Sequence, residues 1–274
     1  MWRRLAQYGS VDADRDRRAS GGPAVLVLAL AILVAPQAAE AWRLPKGDCD
    51  YPAPHTDLKH CNFAGRQLLA ADLHGADLTR VDLSTANLVG CDLTGAVLRG
   101  TNLKWANMSS CRLRRADLTG ADLFHTNLTG TDLTGAELVK TFLFGTDLTE
   151  THADDADFRG AYMKDIVMER ARFRRADFSG VYMLRGVMVG SDFRWAKLRS
   201  VELTGASAEE VNFSGADLHG ANLRGATLIE TSFVGANLTD SDFANASFED
   251  TDFRGAVNVP ETVKSQLGES WRAN

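Results

Sequence analysis

The 274-residue sequence has little of what marks most enzymes and membrane proteins. Its longest apolar run, Ala24 to Ala35, has twelve residues. A helix needs about 20 to cross the ~30 Å apolar layer of a bilayer, so no ordinary spanning helix is expected. There is no G-x-S-x-G or other nucleophile motif. Basic residues are not in surplus either: 36 acids face 30 Lys and Arg, a balance that disfavours non-specific nucleic-acid binding. Cysteine is limited to four residues, in no common zinc spacing.

The first forty residues differ from the rest. Arg3, Arg4, Arg15, Arg17 and Arg18 precede the apolar run, and Pro36 and the small-residue site Ala39-Glu40-Ala41 follow it. That order is the pattern of a secretory signal. The expectation is a signal peptide over 1–41, cut after Ala41, and a periplasmic or secreted mature chain beginning at Trp42. Arg17-Arg18 leaves Sec and twin-arginine export both open. Without residues 1–41, which hold five Arg, three Asp and Glu40, 32 acids and 25 bases remain.

The dominant signal is a repeat. From Leu58 to Phe253 every fifth residue is Leu, Phe or Met, except Ala153 and Ala208, giving forty units without an insertion. The residue two places earlier is usually small, as at Ala76, Ala96 and Ala116, and the one before the centre is usually Asp or Asn. Ala116-Asp117-Leu118-Thr119-Gly120 shows the unit undisguised. A helix needs apolar residues at 3.6 spacing and a flat strand at 2, so a period of five requires a chain that turns every five residues. In an extended segment the centre and the small residue share one face and point inward together. Thr, Gly, Asp, Asn and Arg then fall at outward corners, where their turn chemistry suits them.

A slower period sets the size of one circuit. Phe173, Phe193, Phe213, Phe233 and Phe253 recur at every fourth unit, and Ala161-Tyr162-Met163 is echoed four units later at Val181-Tyr182-Met183. Four units per coil follow, hence about ten coils and a rod of about 48 Å at ~4.8 Å per stacked strand.

On these residues the chain resembles the pentapeptide-repeat family over 58–256. The resemblance implies an all-β fold, a right-handed quadrilateral parallel β-helix. Residues 42–57, with Pro45, Pro52 and Pro54, read as an irregular N-terminal cap. Residues 257–274 read as a C-terminal helical cap, with a helix over Pro260–Arg272 presenting Val259, Val263 and Leu267 on one face; a homodimer through a solenoid end, by way of Trp271, is its alternative use. Fold does not fix role, because members of the family serve unrelated ones.

Cys49–Cys61 is the expected disulfide, joining the cap to the first coils. Cys91 and Cys111, one coil apart, form either a second bridge or two buried thiols. Cys49, His55, His60 and Cys61 do not match a known zinc pattern, and His74, His125, His152 and His219 fall in four different columns, so neither a metal nor another cofactor is expected. The repeat explains the many aspartates, and it also writes N-L-T by itself, so sequences such as Asn127-Leu128-Thr129 say nothing about glycosylation. The chain is not expected to be an enzyme.

Departures from the repeat at outward positions carry the remaining information. Phe142, Tyr162 and Tyr182 replace Asp or Asn in one column, and Val167 and Val187 do so on the next face, giving a candidate apolar interaction surface. Residues 155–200 hold ten Lys or Arg, among them Arg172, Arg174, Arg175 and Arg194, against six acids; residues 201–255 hold ten acids and two Arg. The leading expectation is a non-catalytic exported scaffold that binds a protein partner. The alternative, implied by the family, is a DNA mimic acting on a type II topoisomerase.

Overall fold

A computed structural model describes residues 43–267. The expected signal segment 1–41, and residues 268–274 with Trp271, lie outside the described residues.

From Asp57 to Val257 the residue before each centre makes a parallel bridge to its counterpart four units on, as Asp117 does to Glu137, without a break. The chain is therefore a parallel β-helix in which one circuit takes four of the five-residue units. The unit Ala116–Gly120 shows how it closes: every backbone N–H has an acceptor. Ala116 donates to Leu113 O (3.0 Å) within the preceding turn. Asp117 donates down to Ala96 O (3.0 Å), while Leu118 and Gly120 donate up to Glu137 O (2.8 Å) and Val139 O (2.9 Å). The Thr119 N–H, inside the turn, is taken by Asp117 Oδ1 at 3.0 Å. Asp or Asn before the centre is thus an intrinsic part of the turn, since a buried or semi-buried N–H left unpaired is unfavourable. The last turn residue adopts a left-handed conformation, φ 66° at Gly120 and 55° at Thr85. Glycine reaches that region freely, whereas a β-branched residue there is strained.

The centres and small residues form one core along the rod, with Leu118, Ala116, Phe213 and Ala216 at no more than 1% exposure. In the first half the centres are mostly leucine. Several inner small positions there are threonine, whose hydroxyl donates to a carbonyl on the coil before, as Thr126 does to Leu103 O (2.7 Å) and Thr146 to Leu123 O (2.7 Å). Thr141 instead donates to Leu138 O (2.7 Å) within its own coil; either bond removes most of the penalty for burying the hydroxyl. In the second half phenylalanines stack coil on coil: Phe173 on Phe193 at 4.9 Å, Phe213 on Phe233 at 5.2 Å, Phe233 on Phe253 at 5.1 Å. Ala153 and Ala208 occupy centres and are as buried as the larger ones.

The N-terminal segment is less irregular than its prolines suggest. Lys46 makes a parallel bridge to Asp57, and the Gly47 N–H donates to Asp57 O at 2.9 Å, so 45–47 add a rung beneath the first coil. Glycine at 47 lets the segment approach closely, since a Cβ would stand 2.5 Å from Leu58 Cδ2 and 2.8 Å from Thr56 Oγ1 and would push both side chains aside. Cys49 and Cys61, with Cα atoms 5.4 Å apart, are joined as a disulfide. Cys91 and Cys111 also form a disulfide, at Cα–Cα 4.6 Å. At the other end, α1 (Glu261–Leu267) covers the last coil with Val263 fully buried and Val259 nearly so, and Leu267 packs against the same core. Glu261–Leu267 is the described part of the span Pro260–Arg272 read from the sequence, and residues 268–272 lie outside the described residues. No helix of the described residues is long and apolar enough to cross a membrane.

Candidate interaction surface

Phe142, Tyr162 and Tyr182 stand in one column, bridged in succession, at 56%, 38% and 39% exposure. Tyr162 and Tyr182 stack with ring centroids 5.3 Å apart and planes 6° from parallel. The coil register sets this spacing, since side chains a full circuit apart stand one rung above another.

The following corner carries more rings, which the sequence reading passed over. Phe124 stacks on Phe144 at 5.4 Å, and Trp105 stacks on His125 at 4.4 Å. Phe124 meets both Trp105 and His125 edge to face. Gly145 makes this possible: a Cβ there would come within 2.5 Å of the His125 ring. Lys164 lays its ammonium 5.8 Å over Phe144. Together with Lys104 and Asp122, which pair at 2.9 Å, Trp105, Phe124, Phe142, Phe144 and Tyr162 line a groove of about 430 Å³. The signal for the missed rings was the same four-unit period, applied to the two turn positions rather than to the one before the centre.

Val167 and Val187 bridge each other one face further on, past this corner, and both are half-buried. The arginines are elsewhere. Arg172 lies two units, half a circuit, from Tyr162, so the basic candidates do not share the aromatic face. They are also paired. Arg172 meets Asp154 at 3.1 Å, Arg175 meets Asp155 at 2.6 Å, and Arg174 and Arg194 each reach Asp192 at 2.7 Å. Burial pushes the Asp192 carboxyl up, but hydrogen bonds from Arg194 and Arg174 outweigh it and hold it at about 2. The Arg-rich band is therefore engaged in ion pairs, many of them formed across rungs, as Arg174 does with Asp192 and Arg175 with Asp155.

At the N-terminal end His55 and His74 meet edge to face at 4.4 Å, and His74 Nδ1 lies 2.6 Å from Asp72 Oδ1. The columns keep histidines apart, but this pair, one position short of a full circuit, meets across a diagonal.

Among the described residues the geometry is that of a regular repeat solenoid with a ring-lined groove at one corner. A family model of pentapeptide repeats matches residues 55–84, 76–115, 111–149, 154–183, 188–225 and 221–257, and the chain belongs to that family. Its proteins are generally structural or interaction modules rather than catalysts. Among solved structures, QnrB1, a plasmid-mediated fluoroquinolone resistance protein, is 19% identical, with 73% of this chain and 90% of that one covered and a TM-score of 0.55. It supports the right-handed β-helix. HetL, involved in heterocyst differentiation regulation in the cyanobacterium Nostoc sp. strain PCC 7120, is 26% identical over 81% of this chain and 94% of its own, with a TM-score of 0.46. A pentapeptide repeat protein of the Arabidopsis thaliana thylakoid lumen is 28% identical over 43% of this chain and 69% of that one, at a TM-score of 0.31. No curated protein sequence matches the chain.

Proposed function

We propose that this chain is a non-catalytic exported scaffold: a four-sided rod of about ten coils that binds a protein partner on the face formed by Phe142, Tyr162 and Tyr182 and the adjoining rings. The unbroken four-unit register supports the coil count, since forty units at four per circuit give ten. Ala39-Glu40-Ala41 behind a short apolar run supports export.

One observation carries the binding role. In most five-residue units the residue before the centre closes its own turn with a side-chain acceptor, as Asp82 does for the Ser84 N–H at 2.9 Å. Phe142, Tyr162 and Tyr182 have no such acceptor and expose their rings. A residue that gives up a local hydrogen bond and leaves apolar area in water is better explained by recognition than by folding. The test is capture from envelope extracts by the mature chain and by a variant carrying Tyr162→Ser and Tyr182→Ser. A partner lost with the rings, while the melting curve persists, supports the reading. Unchanged capture contradicts it.

The DNA-mimic reading rests on a different stretch. Residues 201–255 carry ten acids and two arginines, on a fold shared with QnrB1. A supercoiling assay with residues 42–274 decides it: inhibition or drug protection at micromolar protein would favour mimicry over the scaffold, and no effect would end it.

A further inference from the structure

The N-terminal cap holds a set of donor atoms that the aromatic face does not use. Cys49 Sγ, Cys61 Sγ and a ring nitrogen of His60 all lie within 4.8 Å of one another, the one such group among the described residues. His60 Nε2 is 3.8 Å from Cys61 Sγ. In the oxidised chain the two sulfurs are bonded to each other, so neither is available as a thiolate.

Reduction changes the chemistry of the set. Zinc bound tetrahedrally, with Zn–S about 2.3 Å and Zn–N about 2.0–2.1 Å, holds sulfur and nitrogen ligands roughly 3.6 Å apart. His60 already stands near that distance from Cys61, and Cys49 Sγ, within 4.8 Å of the same ring nitrogen, is the atom that must move away from Cys61 Sγ. Cys61 is buried, Cys49 half-buried and His60 exposed, which leaves a fourth position facing solvent. The other cysteine pair lacks such a third donor: Cys111 Sγ lies 2.8 Å from Leu88 O, in the slot where threonine hydroxyls donate elsewhere.

We propose that reduction of the Cys49–Cys61 disulfide uncovers a solvent-open Cys2His site for Zn2+, which then ties the cap to the first coil in place of the disulfide. A dithiol supplies the two electrons and two protons; the Cys49–Cys61 S–S bond breaks, two thiols form, and the dithiol becomes a disulfide. Zn2+ binds both sulfurs as thiolates, releasing their two protons to solvent, takes the His60 nitrogen lone pair, and completes its shell with water. Either link joins the segment that adds the Lys46 rung to the coil that begins at Leu58.

The test uses the full chain with Cys91→Ser and Cys111→Ser, where serine at 111 can donate to Leu88 O. The protein is reduced with dithiothreitol, desalted without oxygen and titrated with Co2+ as a spectroscopic probe. One equivalent should bind, with a thiolate-to-cobalt charge-transfer band that Zn2+ abolishes. His60→Ala should weaken binding by roughly tenfold or more without shifting the melting curve of the oxidised protein. The proposal is overturned if the reduced chain, folded or not, shows no such band. It is equally overturned if His60→Ala leaves the titration unchanged, or if the oxidised chain gives the same band.

Discussion

The column that carries Phe142, Tyr162 and Tyr182 continues over the next three coils as Glu202, Asn222 and Asp242. The backbone does not register the change. Leu143 and Met163 donate to Tyr162 O and Tyr182 O at 2.8 and 2.7 Å, and Met183 and Leu203 donate to Glu202 O and Asn222 O at 2.9 and 2.8 Å. The side chains do. Asn222 and Asp242 accept the turn N–H of Arg224 and Ala244 at 3.1 and 2.8 Å, and Asn222 also donates to Glu202 at 3.0 Å. The ring positions forgo a hydrogen bond that contributes about 1 kcal/mol and recover part of it by stacking, worth about 0.5–1.5 kcal/mol per pair. The polar stretch shows that this column keeps the same backbone register without rings, and on that comparison the proposed binding role of the rings rests.

The largest effect should come from a change that the two stretches ought to feel alike, one in the core they share. Phe213→Asp places a carboxylate at a fully buried centre between stacked phenylalanines. An unpaired buried charge is disfavoured by several kcal/mol, so soluble expression and the cooperative melt should be lost. A folded variant would mean that the core is not continuous.

Next is the opposite flank, where charge pairs replace rings. Asp192 is held at about 2 by its two arginines, against roughly 3.9 in an unfolded chain. A depressed carboxyl adds stability above the unfolded value and loses it as pH falls through the folded one. Wild-type melting temperature should therefore drop between about pH 4 and pH 2. Asp192→Asn should lower it at pH 7 and shrink that drop. Equal acid slopes for the two proteins would remove the ion pairs from the account.

The smallest effect concerns the turns. Thr85 holds φ 55° with an exposed β-branched side chain. Thr85→Gly relieves strain and should raise stability by about 1 kcal/mol, less the entropy glycine adds to the unfolded chain. Denaturant unfolding reads this directly, and a destabilised variant would show that the left-handed turn is unstrained.

Leu58 to Phe253 made the inner half of the fold legible in the sequence, because a buried centre tolerates few residue types and so repeats visibly. The Phe173-to-Phe253 recurrence revealed the circuit for the same reason. Outward turn positions tolerate nearly anything, and for that reason Trp105, Phe124, His125 and Phe144 were hidden: the repeat sets no expectation there against which a ring stands out. The arginine pairs were illegible on other grounds. Arg174 finds Asp192 one rung up and two positions over, a spacing that only the folded register reveals. The Lys46 rung was masked by the prolines around it, which disfavour regular strands but leave a single bridge intact.

The most direct measurement replaces the three rings with what the column carries elsewhere: Phe142→Asp, Tyr162→Asn and Tyr182→Asn together. These side chains restore the turn acceptors, so the melting temperature should stay within a few degrees of wild type while the captured partner is lost. A collapse of the melt would make the rings structural, and undiminished capture would place recognition elsewhere on the rod; either result contradicts the account.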